Sequence, residues 1–210
     1  GFRIAQPDAA ENVFNAVTAN FMNPDVNIHT SVRHESAAFL NNTLKQHPNN
    51  KKLRNNLTNT AHNAVQEASR KYNNLPSQNR PSFSNHVQSV VSPLSMLDQD
   101  VQTEIGLRFI DNASQAMPPA NFINPQVEDM HAVDASMAET YAGVALLKND
   151  AEAMKAHEQT IGTLFERVIH LSDAEVKASG KKARAAVEQV RRHAESMAVE
   201  IGRASCRERV

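Results

Sequence analysis

Apolar residues recur every three or four positions through almost the whole chain, the spacing of helices that each bury one stripe. Phe14, Val17 and Phe21 share a face between Pro7 and Met22, with Asp8 and Glu11 as a capping-box start and Pro24 beyond the end. Val32, Phe39, Leu40 and Leu44 form the stripe of a second helix, Ser31 to Gln46, capped by Thr30 and stopped by Pro48. Leu53, Leu57, Ala61, Ala64, Val65 and Ala68 predict a longer helix from Asn50 to Tyr72. The stretch "NNLPSQNRPSF" reads as a loop, followed by a short helix over 83–91. Ser92 and Pro93 then read as cap and first turn of a helix that buries Leu94, Leu97, Val101, Ile105 and Phe109 and ends before Pro118.

"MPPANFINP" marks a linker, so the pattern divides the chain into an N-terminal helical unit, 5–117, and a C-terminal long-helix unit, 124–202. Asn124 and Pro125 open a helix carrying Val127, Met130, Met137, Tyr141 and Val144. Asp150 caps another, with Met154, Ile161, Leu164, Val168 and Leu171 inward, and Ser172 with Glu175 forms a further capping box. The last helix presents Val176, Ala183, Val187, Val190, Ala194, Met197 and Ile201 as a narrow seam of alternating three- and four-residue steps. Gly180, Asp134 and His157 interrupt the seams of their helices. No alternating run predicts a strand. The predicted fold is all-α: a multi-helix bundle with a C-terminal antiparallel hairpin or coiled-coil-like segment. Its small-residue seam is the predicted interaction surface, toward a helix of the same chain or a second copy.

Composition makes the core lean. Leu, Ile, Val and Phe supply 46 of 210 residues and there is no Trp, which suits a bundle better than one thick globule. Charge is uneven: residues 24–82 carry eight Lys or Arg against three acids, and residues 83–160 carry three against eleven. The two zones can attract one another within one molecule or between copies. The basic groups lack interleaved aromatics, which disfavours nucleic acid as a partner. No apolar run is long enough for a transmembrane span, and the first residues lack a signal-peptide core. The pattern fits a soluble chain, cytoplasmic or secreted without a visible signal peptide. Residues 203–210 break the helical spacing and read as a non-native tail, so Ser205 and Cys206 are not taken as nucleophiles.

Candidate chemistry is sparse. Cys206 is the single cysteine, which leaves no internal disulfide and no Cys-rich metal site. Glu128 and His131 form one E-x-x-H pair, whose three-residue spacing puts a carboxylate and an imidazole on one helix face as a weak metal candidate. Glu166 and His170 would supply a second pair if His170 turned inward. The "SGKK" run at 179–182 has S-x-x-K spacing without the companion motifs of a serine–lysine enzyme. Sequons at Asn41, Asn56 and Asn112 fall inside predicted helices, in a segment where Asn is abundant. No cofactor motif and no catalytic constellation emerges. The expected function is a helical protein–protein interaction or oligomerisation module, pairing with itself as a homodimer or with another protein. The alternatives are a bacterial effector or toxin fragment that binds a host protein, and a carboxylate/His metal-binding bundle enzyme.

Overall fold

The computed structural model describes residues 7–24, 28–118, 125–173 and 180–207, with side chains for all of these except 7–8, 169–173 and 202–207. Among them the chain is helical throughout, without a strand. The order is α1 (Pro7–Phe21), α2 (Thr30–Gln46), α3 (Lys51–Tyr72), α4 (Phe83–Val91), a 3-10 turn (Ser92–Met96), α5 (Gln99–Ala116), α6 (Val127–Leu147), α7 (Ala151–Asp173) and α8 (Lys181–Arg207). No helix is long and apolar enough to cross a membrane among the described residues.

Helix starts follow local side-chain chemistry. The Asn50 Oδ1 accepts from the Lys52 and Leu53 amides, Ser82 Oγ accepts from the Asn85 amide, and Asp150 Oδ1 accepts from the Ala153 amide. Three predicted starts are corrected. Helix α2 is capped by the imidazole of His29, whose Nδ1 accepts from the Ser31 amide at 3.2 Å, while Thr30 is already helical. Helix α6 begins behind Gln126, which forms a capping box with Asp129; Asn124 lies outside the described residues. Gly180 does not interrupt α8 but precedes it at φ +98, a left-handed conformation that a side chain disfavours.

The single helix expected from Ser92 onward is two elements. Pro93 opens the 3-10 turn, Leu97 is extended, and α5 starts afresh after Asp98. Contacts from other parts of the chain hold the break. Asn41 on α2 accepts from the Asp98 amide at 2.9 Å, and Gln102 Nε2 donates to the Leu97 carbonyl at 2.7 Å. These bonds occupy backbone groups that a continuous helix would use itself. The Asn41 and Asn112 side chains of two predicted sequons are thus taken up in contacts between elements.

Helix α6 is the axis of the bundle. The stripe Met130, Met137, Tyr141, Val144 is buried as expected, but so are Ser136, Glu139, Thr140, Ala142 and Gly143 on its other sides. A helix covered all round loses its amphipathic signature. Small residues permit the covering: Gly106 of α5 and Gly143 of α6 face each other, and a Cβ on Gly143 would lie 2.9 Å from the Gly106 carbonyl oxygen. Helix α3 runs antiparallel to α6, since His62 and Gln66 meet Glu139 while Tyr72 lies near Asp134. Helix α8 runs parallel to α6, because His193 pairs with Asp134 and Glu200 with Tyr141, both 59 residues apart. One continuous apolar cluster extends from Phe14 of α1 to Met197 of α8.

Candidate functional site

The C-terminal half of α3 and the N-terminal half of α6 diverge and leave a cleft of about 750 Å³, within the size range of small-molecule sites. Its α3 wall carries Asn63, Gln66, Glu67, Ser69, Arg70, Asn73 and Asn74, and its α6 wall carries His131, Ala132, Asp134 and Ala135. Three of these side chains, Gln66, Asn73 and Asp134, are held by hydrogen bonds to residues outside the lining. His193 of α8 donates from Nδ1 to Asp134 Oδ1 at 3.0 Å, and its ring stacks on Phe83 at 4.3 Å and meets Tyr72 edge-on at 5.3 Å. The Tyr72 hydroxyl donates to the Pro81 carbonyl at 2.7 Å, and the Arg80 guanidinium lies over the Tyr72 ring. Gln189 Nε2 of α8 donates to Asn73 Oδ1 at 2.6 Å.

Behind the cleft sits the carboxylate of Glu139. It accepts from His62 Nδ1, from Gln66 Nε2 at 3.0 Å and from Asn112 Nδ2 at 3.3 Å, tying α3 and α5 to α6. Burial pushes its carboxyl above the ordinary carboxylate range, against the opposing pull of those three donors. The half-buried Glu67 behaves oppositely: hydrogen bonds from Arg70 and Lys71 hold it down at about 2. At the far end of α8, Glu200 accepts from the Tyr141 hydroxyl and from Ser84 Oγ at 3.1 Å. Burial, together with the Glu200 contact, pushes the Tyr141 phenol upward.

The arrangement is suited to holding groups in place. Among the described residues no hydroxyl or thiol bonds to His62 or His193, so neither imidazole is set against a nucleophile. Glu128 and His131 are both exposed near the start of α6, and His131 lies on the cleft rim. No three His, Cys, Asp or Glu side chains converge as a metal ion would require among the described residues. Glu166 is exposed, and the His170 side chain lies outside the described ones. Ser179, Glu175 and Val176 also lie outside the described residues, and Ser172 falls within α7.

On the α8 seam, Ala183, Val190, Ala194 and Met197 are buried, while Val187 and Ile201 are half-buried against the same core. The stripe packs on α6, α7 and α4 of its own chain. Asp134 and His157, which interrupt the pattern in sequence, are both engaged. Asp134 pairs with His193, and the His157 Nδ1 bonds the Ala153 carbonyl at 2.9 Å.

A different apolar surface is open. Val13, Val32 and Phe39 are 52%, 48% and 38% exposed on α1 and α2, against near-complete burial of the core apolar residues. A groove of about 290 Å³ runs between these helices, lined by Val17, Asn20, Val32 and Ser36 among others. Val13 lies one turn before Val17 and Phe39 one turn beyond Ser36, so both walls continue as apolar ridges. Arg33 donates to the Phe21 and Asn23 carbonyls, each at 2.8 Å, and so pins the start of α2 to the end of α1.

Comparison with protein-family models, with characterised proteins and with solved structures gives no match to this chain.

Proposed function

We propose that this chain is an oligomerisation module in which the α1–α2 edge pairs with the same edge of a second copy. The observation that carries the reading is that three of the four exposed large apolar side chains among the described residues, Val13, Val32 and Phe39, lie on α1 and α2, with Val199 alone on α8. Exposed apolar groups gathered along a groove mark an interaction surface more than scattered ones do. Two antiparallel helices with apolar ridges on both walls are self-complementary about a two-fold axis, and their pairing would make a four-helix layer. Charge opposes it only weakly: between Pro7 and Gln46 the chain carries four acids and two bases, a repulsion between surface charges that salt screens. The Arg33 bonds keep the hairpin rigid, so little ordering entropy is lost on association. A patch of this modest extent gives a weak, concentration-dependent dimer rather than an obligate one.

Sedimentation velocity over a wide concentration range tests the reading. The expected result is a shift toward a dimer as concentration rises, abolished by Phe39→Glu with the helical circular dichroism unchanged. A chain that stays monomeric throughout, or a dimer indifferent to Phe39→Glu, contradicts it.

A further inference from the structure

We infer that the α3–α6 cleft is a binding site for a small ligand that presents a primary ammonium group to Asp134, Ser69 and Gln66. Each of these lines the opening and keeps one acceptor unused among the described residues. Asp134 is only 4% exposed, and its Oδ1 is taken by His193, which leaves Oδ2 without a hydrogen bond. Ser69 is 6% exposed, and its hydroxyl makes none. Gln66 donates Nε2 to Glu139, which fixes the amide and leaves Oε1 without a donor. Gln66 and Ser69 stand three apart on one face of α3. Because α3 and α6 are antiparallel and Gln66 meets Glu139, Ser69 lies opposite the turn of α6 that carries Asp134.

Three acceptors around one opening match the three N–H donors of an ammonium, which has no acceptor of its own. Asp134 and Ser69 are nearly covered, and both line the same opening with an acceptor to spare, so a donor entering the cleft would meet two fixed partners. Of the two acids that line the cleft, Glu67 is paired with Arg70 and Lys71, whereas Asp134 has an ion pair with no lysine or arginine among the described residues. Asn63, Asn73 and Asn74 suit a ligand that is polar beyond its amine.

Titration calorimetry on the full chain tests this with 1,4-diaminobutane, Nα-acetyl-lysine amide, tetramethylammonium and sorbitol. The first two compare a free amine with a side-chain amine. The third keeps the charge but has no donors, and the fourth has hydroxyls but no charge. Saturable binding is expected for at least one primary amine, with none for tetramethylammonium or sorbitol. Ser69→Ala removes a hydroxyl that bonds nothing in the fold, so it leaves the melting temperature in place and weakens binding about tenfold. Asp134→Asn removes binding, and because it also touches His193, Ser69→Ala is the deciding variant. No binding of either primary amine at millimolar concentration, equal binding of tetramethylammonium, binding of sorbitol in their place, or indifference to Ser69→Ala would each overturn the inference.

Discussion

Gly143→Ala isolates the contact on which the bundle axis depends. A methyl added there would stand 2.9 Å from the Gly106 carbonyl oxygen and 2.9 Å from Ile110 Cγ1. Neither neighbour gives way easily, since one is helix backbone and the other is fully buried. Overpacking at such a site costs about 3 kcal/mol, the upper end of its usual range. Replacing a mid-helix glycine by alanine returns about 1 kcal/mol of helix propensity. The net effect is a loss of about 2 kcal/mol, or a fall in Tm of about 4–8 °C for a chain of this size. Gly162 of α7 is the internal control, because nothing lies within 4 Å of a Cβ built there. Gly162→Ala gains the propensity term alone and raises Tm by about 2–4 °C. Differential scanning calorimetry of the two variants reads opposite signs if the α5–α6 crossing is as close as described. A Gly143→Ala protein as stable as Gly162→Ala would refute the packing argument.

Two further substitutions probe the interior. Glu139 has a carboxyl pKa raised by burial, so its contribution to stability is present below the unfolded value and is lost as pH rises through the folded one. Glu139→Gln removes that loss and flattens the upper acid limb of a urea-denaturation series between the carboxylate range and neutrality; an unchanged pH profile would contradict the assignment. Val190 is buried between α8 and its neighbours, so Val190→Asp strands a charge in the core and costs about 3 kcal/mol or more, read as a fall in the urea midpoint. A midpoint equal to wild type would place the seam in solvent.

Where the chain is controlled by short-range chemistry, the sequence predicts it well. Asp150 caps the helix assigned to it, the helices expected from Asn50 and over 83–91 begin where the spacing puts them, and Leu53, Leu57, Ala61 and Val65 fall on the buried face of α3. Expectation fails where distant residues act. The break before α5 depends on Asn41, 57 residues from Asp98, and periodicity through Leu94 and Leu97 runs straight across it. Helix α6 was read as amphipathic because its large residues form a stripe; its small residues face other helices rather than water. Asp134 looked like a flaw in a seam because its partner His193 is 59 positions away. His131, which the sequence offers at metal-ligand spacing from Glu128, lies on the rim of a cleft. Ser69 and Gln66 carry no sequence signal, since only the antiparallel approach of α3 to α6 gives them a common opening.

The α1–α2 surface was legible only in part. The spacing puts Val32 and Phe39 on an inner stripe with Leu40 and Leu44, yet they lie about a third of a turn round the helix from the buried pair. That offset is what leaves them available to a second copy.

Light scattering coupled to size exclusion, run on wild type and on Val32→Glu/Phe39→Glu at matched high concentration, tests that pairing most directly. Pairing through α1 and α2 predicts a wild-type mass approaching twice the 23.2 kDa of one chain and a variant at the single-chain value. Identical masses for the two proteins would contradict it.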